Sequence, residues 1–496
     1  MRSNIKYYFG IDFGTTNSAL VTYAINETGQ IFIKKCGDDE ERPIPSVVAI
    51  DNKGNVFTGR EAWNKKMQLR ESCEYFSSIK TILDSEKEYK INGKIWTTVD
   101  IAGEVFKHLK SIVKDRIDVD MTGKEAFVSI PIGFSANKRS KLRQAAAKAG
   151  IIIKSFVSEP TAAFFANYKE LKSSSIVAIF DWGGGTLDVS IIEHSNGKIF
   201  ELATVGLSIA GDQIDKKIAE RIHAKIARKK KGIDIAFSDM PLSAQDFMNV
   251  YSEQAKINLS YDDEAEISIN QYGDYGICRE TLSYDWFSEI IESEVNQAIN
   301  CLDKAIEQSG LGLANIDRIV MIGGSSNLRP LIDKMEEKYG DKLFFPEETM
   351  WNVGQGAAML AISPGDYHSN QSIGLVLSDG NYYELLKRGD LIKNWKHKCN
   401  FGVVDTSEQA RFVFACKEGI NDINFSVEDF KTLVLPNYKF LQEQIVLDAE
   451  IDSDMIFRVK AKSNMQPKNY SRVWQYEKLK CYYQLPGSDL NLWLAT

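Results

Sequence analysis

At 496 residues, 44% hydrophobic and 26% charged, the chain has the composition of an ordinary soluble protein with room for two to four domains, which excludes a disorder-dominated polypeptide. A net charge of −8 argues against a nucleic-acid partner, and Arg228-Lys-Lys-Lys231 is too short a basic run to reverse that; it reads as a solvated helix end. Seven scattered cysteines without a C-x-x-C pair or histidine cluster fit a reducing cytoplasm without zinc, and no apolar signal segment or membrane-length run is present, so no membrane association is expected.

The first informative stretch is Phe9-Gly-Ile-Asp12-Phe-Gly14-Thr15-Thr16-Asn17-Ser18, with apolar runs on both sides. A strand follows at Ser46–Ile50, and then Phe76-Ser-Ser-Ile-Lys80-Thr-Ile-Leu83 places Lys80 in an apolar setting where its charge must be satisfied. A phosphate would do so, although a surface lysine on a half-buried helix is the commoner case. The spacing of Ile101, Val105, Leu109 and Ile112 predicts a helix over 101–118 with Asp100 as its N-cap. A strand at Ala126–Ile130 stops at Pro131, and a helix over 137–149 closes at Gly150. The next strand, 151–157, ends at Ser158-Glu159-Pro160. Pro160 suits the first helical position, which leaves Glu159 at a strand-to-helix junction, either projecting into a cleft or capping the helix.

The second informative stretch is Asp181-Trp-Gly-Gly-Gly-Thr186-Leu-Asp188, between the apolar runs 176–180 and 189–192. It predicts a hairpin in which Gly183, Gly184 and Gly185 can take positive φ and admit a phosphate to backbone N–H groups. Asp181 and Asp188 would repel that phosphate unless a cation lay between them. Alone, the pattern is equally a glycine-rich hairpin with two solvated aspartates. Alignment of Asp12 with Asp181 also aligns Gly14 with Gly183, so the phosphate hairpin occurs twice, which suggests two similar lobes closing on one nucleotide.

Farther on, Ser243-x-x-Asp246 reads as a capping box, and Glu253, Lys256 and Ser260 fall on one helix face, a solvated row or a binding row. Arg318–Ile322 predicts a strand entering the turn Gly323-Gly324-Ser325, whose glycines would let the backbone approach a flat base, with Pro330 near the start of the following helix. Residues 371–496 contain short β-branched runs separated by turn residues, as in a β-sandwich.

The order Asp12-Phe-Gly-Thr-Thr-Asn-Ser, Ser-Ile-Lys80, Ile-Pro131 with Arg139, Ser-Glu159-Pro-Thr-Ala-Ala and Asp181-Trp-Gly-Gly-Gly-Thr-Leu-Asp188 resembles the seventy-kilodalton heat-shock (DnaK-type) chaperones. These belong to the actin and sugar-kinase ATPase superfamily, and the likeness covers roughly residues 5–362. It implies an α/β fold of duplicated, actin-like (ribonuclease-H-like) ATPase lobes followed by a small β-sandwich domain. The expected boundaries are 1–363 for the ATPase, with lobes 1–175 and 176–363, then 364–371 for the linker and 372–496 for the β domain.

By the same resemblance, ATP or ADP binds with magnesium and potassium. Asp12, Asp181, Asp188 and Thr186 hold the ions and the attacking water, Lys80 contacts the γ-phosphate, and Glu159 positions water. Gly14, Thr15, Thr16 and Asn17 form one phosphate turn and Gly183–Gly185 the other; Gly211 belongs to a second glycine turn in which Ala210 replaces a glycine. Glu253, Lys256 and Ser260 with Gly323, Gly324 and Ser325 contact ribose and adenine, Val353–Ala358 is the last ATPase motif, and Pro131 and Arg139 relay nucleotide state. Phosphoryl transfer to water needs charge neutralisation and alignment, which these residue types supply without a histidine or cysteine nucleophile.

The departures concern partners and the base. Asn327 stands where the family places its adenine-stacking arginine, with Arg329 two positions later; Ser155 replaces an arginine that meets J-domain co-chaperones; and Ile362–Asn370 is polar where the family linker is leucine-rich. No amphipathic helical lid is visible after about residue 462, so a peptide groove would be uncovered and exchange quickly. Tyr382, Tyr383, Trp395, Tyr482 and Tyr483 could line such a groove, although aromatics in a small β domain are more often core. The leading expectation is an ATP-hydrolysing, lidless chaperone-like protein whose partners are unfolded polypeptide, a J-domain co-chaperone and a nucleotide exchange factor. The alternative is a nucleotide-dependent regulatory protein that binds one folded partner, and a small-molecule kinase is disfavoured by the C-terminal β domain.

Overall fold

The computed structural model describes residues 5–38, 42–69, 72–229, 235–402, 409–417, 431–436, 443–465, 468 and 471–486. Two open sheets carry the N-terminal three-quarters of the chain. The first is built from β1 (Lys6–Phe13), β2 (Asn17–Ile25), β3 (Ile31–Cys36), β4 (Glu125–Ile130) and β5 (Ile152–Ser158), in the order β5-β4-β1-β2-β3. β1 and β2 form the expected hairpin, and β4 and β5 run parallel to β1 because helices connect them. These helices are α1 (Gly59–Leu69), α2 (Thr98–Ile117) and α3 (Ala136–Lys148). A core of Phe13, Leu20, Phe106, Leu109 and Leu142 lies between α2, α3 and the sheet.

α4 (Glu159–Ala166) leads into the second sheet, which repeats the pattern. β6 (Ile176–Trp182) and β7 (Leu187–Ser195) are the second hairpin, followed by β8 (Lys198–Leu207), and β9 (Arg318–Ile322) and β10 (Leu343–Phe344) lie parallel on the far side of β6. α5 (Gly211–Lys229), α6 (Leu242–Asn258), α7 (Tyr284–Gln308) and α8 (Arg329–Tyr339) cover it over a core that includes Trp182, Ile218 and Phe287. α9 (Asn352–Ile362) then crosses between the lobes against α4 and β1, and the contact is close enough to dictate its glycines. A Cβ on Gly356 would sit 1.8 Å from the Ala162 carbonyl oxygen, and one on Gly10 would sit 2.1 Å from the Ala358 nitrogen. Residues 353–358 are therefore a packing motif that seats α9 on α4 and β1.

The stretch 364–371, expected to be a linker and noted in the sequence for its polarity, contains a strand, β11 (Asp366–Ser369). Two four-stranded antiparallel sheets follow. One is β12 (Ser372–Val376), β13 (Tyr382–Leu386), β15 (Gln409–Lys417) and β16 (Lys431–Pro436), and the other β14 (Lys396–Gly402), β17 (Gln444–Ile451), β18 (Phe457–Ser463) and β19 (Ser471–Tyr476). Their facing side chains, Leu375, Phe414, Leu447, Phe457 and Trp474 among them, form one core, as a sandwich requires. The final strand, β20 (Cys481–Gln484), leaves the sandwich and enters the second-lobe sheet, whose order is β10-β9-β6-β7-β8-β20-β11.

Several local expectations are corrected. Asp100 is not the N-cap of α2: Thr97 is, and Asp100 closes the capping box from the third helical position, accepting from the Thr97 N–H at 2.9 Å. α6 has no capping box at Ser243; it starts at Leu242 after Pro241, and Asp246 is instead ion-paired with Lys66 of α1 at 3.3 Å. Lys80 lies in a turn, not on a helix, and is buried. Tyr482 and Tyr483 line no groove of the sandwich, because β20 buries them in the second-lobe sheet between β8 and β11. None of the seven cysteines is joined in a disulfide. Among the described residues no helix is long and apolar enough to cross a membrane.

Candidate functional site

A cavity of about 940 Å³ separates the two lobes, and the turns of the two hairpins face each other across it. Gly14, Thr15, Thr16 and Asn17 come from the first turn and Gly183, Gly184, Gly185 and Thr186 from the second. The glycines are needed for a reason other than the one the sequence suggested. None of the three in the second turn has positive φ. A Cβ on Gly184 would lie 2.6 Å from Thr16 Oγ1, and one on Gly185 would lie 2.4 Å from Thr15 Cγ2, so it is the approach of one hairpin to the other that excludes side chains. The α5 N-terminus closes on the same turn: the Gly211 and Asp212 N–H groups donate to the Gly183 and Gly184 carbonyls at 3.2 and 3.0 Å, and Ser325 Oγ donates to Gly183 at 3.0 Å.

Four carboxylates, Asp12, Glu159, Asp181 and Asp188, and the Lys80 ammonium stand together at the end of the cavity where the sequence led us to expect phosphate. Lys80 Nζ donates to Glu159 Oε1 at 2.6 Å, Ser129 Oγ donates to Asp12 Oδ1 at 2.9 Å, and Thr186 Oγ1 donates to Asp188 Oδ2 at 2.8 Å. Asp181 and Asp188 face each other across the β6–β7 pair. Burial raises the Asp12 carboxyl to about 6, helped by Glu159 and opposed by Lys80 and Ser129. Burial, then the charges of Glu159, Asp12 and Asp188, lifts Asp181 well above the usual carboxylate range, and burial with Glu159 lifts Asp188. Burial works to lower Lys80, but Glu159 and Asp12 outweigh it and raise it, so the ammonium stays charged. So crowded a set of hard oxygen donors, only one cation beside it, fits a small divalent ion. Among the described residues no three carboxylates converge closely enough to ligate a metal directly.

At the other end, Glu253, Lys256 and Ser260 line the cavity opposite Gly323, Gly324 and Ser325. Lys256 is held from behind, 2.8 Å from Asp215 Oδ1 and 3.2 Å from the Gly211 carbonyl. Gly211 itself sits just behind the wall, where a Cβ would lie 2.9 Å from Ser325 Oγ. Arg329 is directed elsewhere: its Nη1 donates to Asp263 Oδ1 at 3.0 Å and its guanidinium lies 4.1 Å from the Tyr284 ring centroid. Asn327, Ile257, Tyr261 and Met350 line this end instead.

Pro131 lines the phosphate end, whereas Arg139 does not reach the cavity. The Arg139 Nη1 donates to the Phe134 carbonyl, whose own N–H returns to Pro131, and its Nε donates at 2.7 Å to the carbonyl of Asp454 in the β17–β18 turn of the sandwich. Arg143, which sequence reasoning missed, donates to the Asp454 carboxylate at 2.8 Å and to the Ser453 carbonyl at 2.9 Å. Its place one helical turn after Arg139 was the available signal. Asp212 and Trp63 were missed too. Asp212 accepts from Thr16 at 3.4 Å, and α1 carries Trp63 to the cavity rim beside α6.

A family model described as Hsp70 protein matches residues 8–478. Among curated proteins, the chaperone protein DnaK of Thermosipho melanesiensis is 27% identical over 513 aligned residues, covering 99% of this chain and 83% of that protein.

Proposed function

Because the chain belongs to the Hsp70 family of ATP-dependent chaperones, we propose that its cleft binds and hydrolyses ATP and that nucleotide state there governs polypeptide binding by the C-terminal sandwich. The observation that carries this reading is the meeting of two glycine-threonine turns over the buried Lys80–Glu159 pair. The turns present backbone N–H groups to the β- and γ-phosphates. Lys80 neutralises charge that builds on the γ-phosphoryl oxygens, and Glu159, with Thr186 and Asp188, orients the water. The water oxygen bonds to phosphorus as the bond to the β-phosphate oxygen breaks, giving ADP and phosphate. Asp12, Asp181 and Asp188 would hold magnesium, with potassium beside it, to supply the remaining positive charge.

The sandwich is proposed to bind unfolded polypeptide without a helical cover. After β19 the described chain runs as strand β20 back to the second-lobe sheet. The contact of Arg139 and Arg143 with Asp454 supports Pro131 and Arg139 as the relay between the domains. A J-domain co-chaperone, a nucleotide exchange factor and a cytoplasmic location complete the reading. Single-turnover hydrolysis by Lys80→Ala tests it: ATP binding is retained and the rate falls by about a hundredfold or more. An unchanged rate would remove Lys80 from the chemistry.

A further inference from the structure

We infer that strand β20 is a working part of the ATPase: it holds the linker strand β11 against the start of α4, and Tyr483 and Tyr367 thereby position Glu159. The inference rests on the proposed role of Glu159 in orienting water. Its starting point is topological. β11 does not pair with the ATPase sheet directly, because β20 lies between them, with Ile199 opposite Tyr483 on one side and Tyr483 opposite Tyr367 on the other. The linker therefore reaches that sheet through backbone that lies more than a hundred residues farther along the chain.

The ladder is secured at both ends. Asn370 N–H donates to the Lys480 carbonyl at 2.8 Å, and the Leu485 N–H and Gln484 Nε2 donate to the Gly197 carbonyl at 2.7 and 3.1 Å. Tyr482 packs between Phe200 and His368, with ring centroids 4.8 and 5.3 Å away. The Tyr483 hydroxyl accepts from the Gly365 N–H at 2.7 Å. A Cβ on Gly365 would lie 2.2 Å from the Gln484 carbonyl oxygen, so this linker residue is glycine because β20 lies against it.

From the ladder a short path leads to the reacting end of the cleft. The Tyr367 ring meets the Tyr483 ring edge-on at 5.0 Å, and the Tyr367 hydroxyl accepts from the Ser158 N–H at 3.3 Å. Ser158 is the N-cap of α4, whose first residue is Glu159, the partner of Lys80. Glu201 of β8 grips the same helix end: it is half-buried and accepts from Ser158 Oγ and, at 3.2 Å, from Thr161 Oγ1. β20 and β8 belong to the second-lobe sheet and Ser158 to the first, so the ladder also ties one lobe to the other. A ladder this short at a sheet edge opens locally without unfolding either domain, which makes it a means of loosening Glu159.

The test uses the full-length protein with Tyr483→Pro, which interrupts β20, and Gly365→Val, which pushes it away from the linker side; neither residue lines the cleft. Both variants are expected to lower single-turnover hydrolysis at saturating ATP about tenfold while ATP affinity stays within about twofold. Tyr367→Phe, which removes only the acceptor of Ser158, shifts the rate in the same direction by a smaller factor. Amide hydrogen exchange supplies a readout that needs no hydrolysis: the Ser158 and Glu159 amides exchange faster in both ladder variants. Unchanged exchange there, or an unchanged hydrolysis rate, overturns the inference. Failure of the unaltered protein to hydrolyse ATP would instead strike the ATPase reading, and the exchange result would still decide whether β20 secures Ser158.

Discussion

The two ends of the cleft are built on different physical terms. At the proposed phosphate end Lys80, Asp12 and Asp188 each have a hydrogen-bond partner within 2.9 Å, and Gly14, Gly184 and Gly185 leave no room for a Cβ. At the proposed base end the walls are Gly323 and Gly324, the side chains of Ile257, Asn327 and Met350, and a Tyr261 that is largely exposed, while Arg329 is tied to Asp263 outside. On the proposed reading, phosphate contact depends on placement that a methyl group on Gly184 or Gly185 destroys, whereas at the base end Gly324 and the side-chain walls leave room, with Gly323, where a Cβ would lie 2.5 Å from the Trp182 carbonyl oxygen, as the exception.

Breaking the phosphate end should have the largest effect. Gly184→Val drives a side chain into Thr16 and keeps the hairpins apart; calorimetry should show ATP affinity reduced by about a hundredfold or more. Retained affinity would mean that the turns do not cradle phosphate. Thr186→Ala removes the donor to Asp188 and should slow single-turnover hydrolysis about tenfold at unchanged affinity; a normal rate would make Thr186 a turn residue only.

Acid should act on the same end through Asp12, whose carboxyl is pushed up from 3.8 to about 6, first by burial. A folded value above the unfolded one means that Asp12 contributes stability below about pH 4 and loses it as pH rises through about 6. Relative to Asp12→Asn, the nucleotide-free protein should therefore lose thermal stability across that window. Magnesium-dependent ATP binding should run the opposite way and weaken by several-fold as pH falls through about 6, where the carboxylate is neutralised. A parallel trend of stability and binding would contradict this. The smallest effect belongs to the base end: Asn327→Arg, facing the cavity, should tighten ATP binding only about threefold through contact with the base. A gain of two orders of magnitude would show that the slot is incomplete without a guanidinium.

What the sequence made legible follows the same division. The hairpins and the Glu159 junction could be read because each motif is local and its residue types have few other uses in that order, whereas the turn at Lys80 was not. The reason for the second turn's glycines could not be read, because it lies in Thr15 and Thr16 of the other lobe. Asp246 was misplaced for a similar cause: a short polar residue three positions after a serine looks like a cap, and only the fold brings Lys66 beside it. Tyr482 and Tyr483 looked like part of the sandwich because nothing near them in the chain reports that their partners are Phe200 and Tyr367. Long-range strand pairing leaves little trace in composition or periodicity.

The central claim is that ATP in the cleft changes the sandwich's hold on polypeptide. Its most direct test is the dissociation rate of a fluorescent unfolded peptide from the full-length protein, with and without ATP and magnesium. The account predicts release at least about tenfold faster with the nucleotide. An unchanged release rate, or hydrolysis of ATP by a protein that binds no peptide, would contradict it.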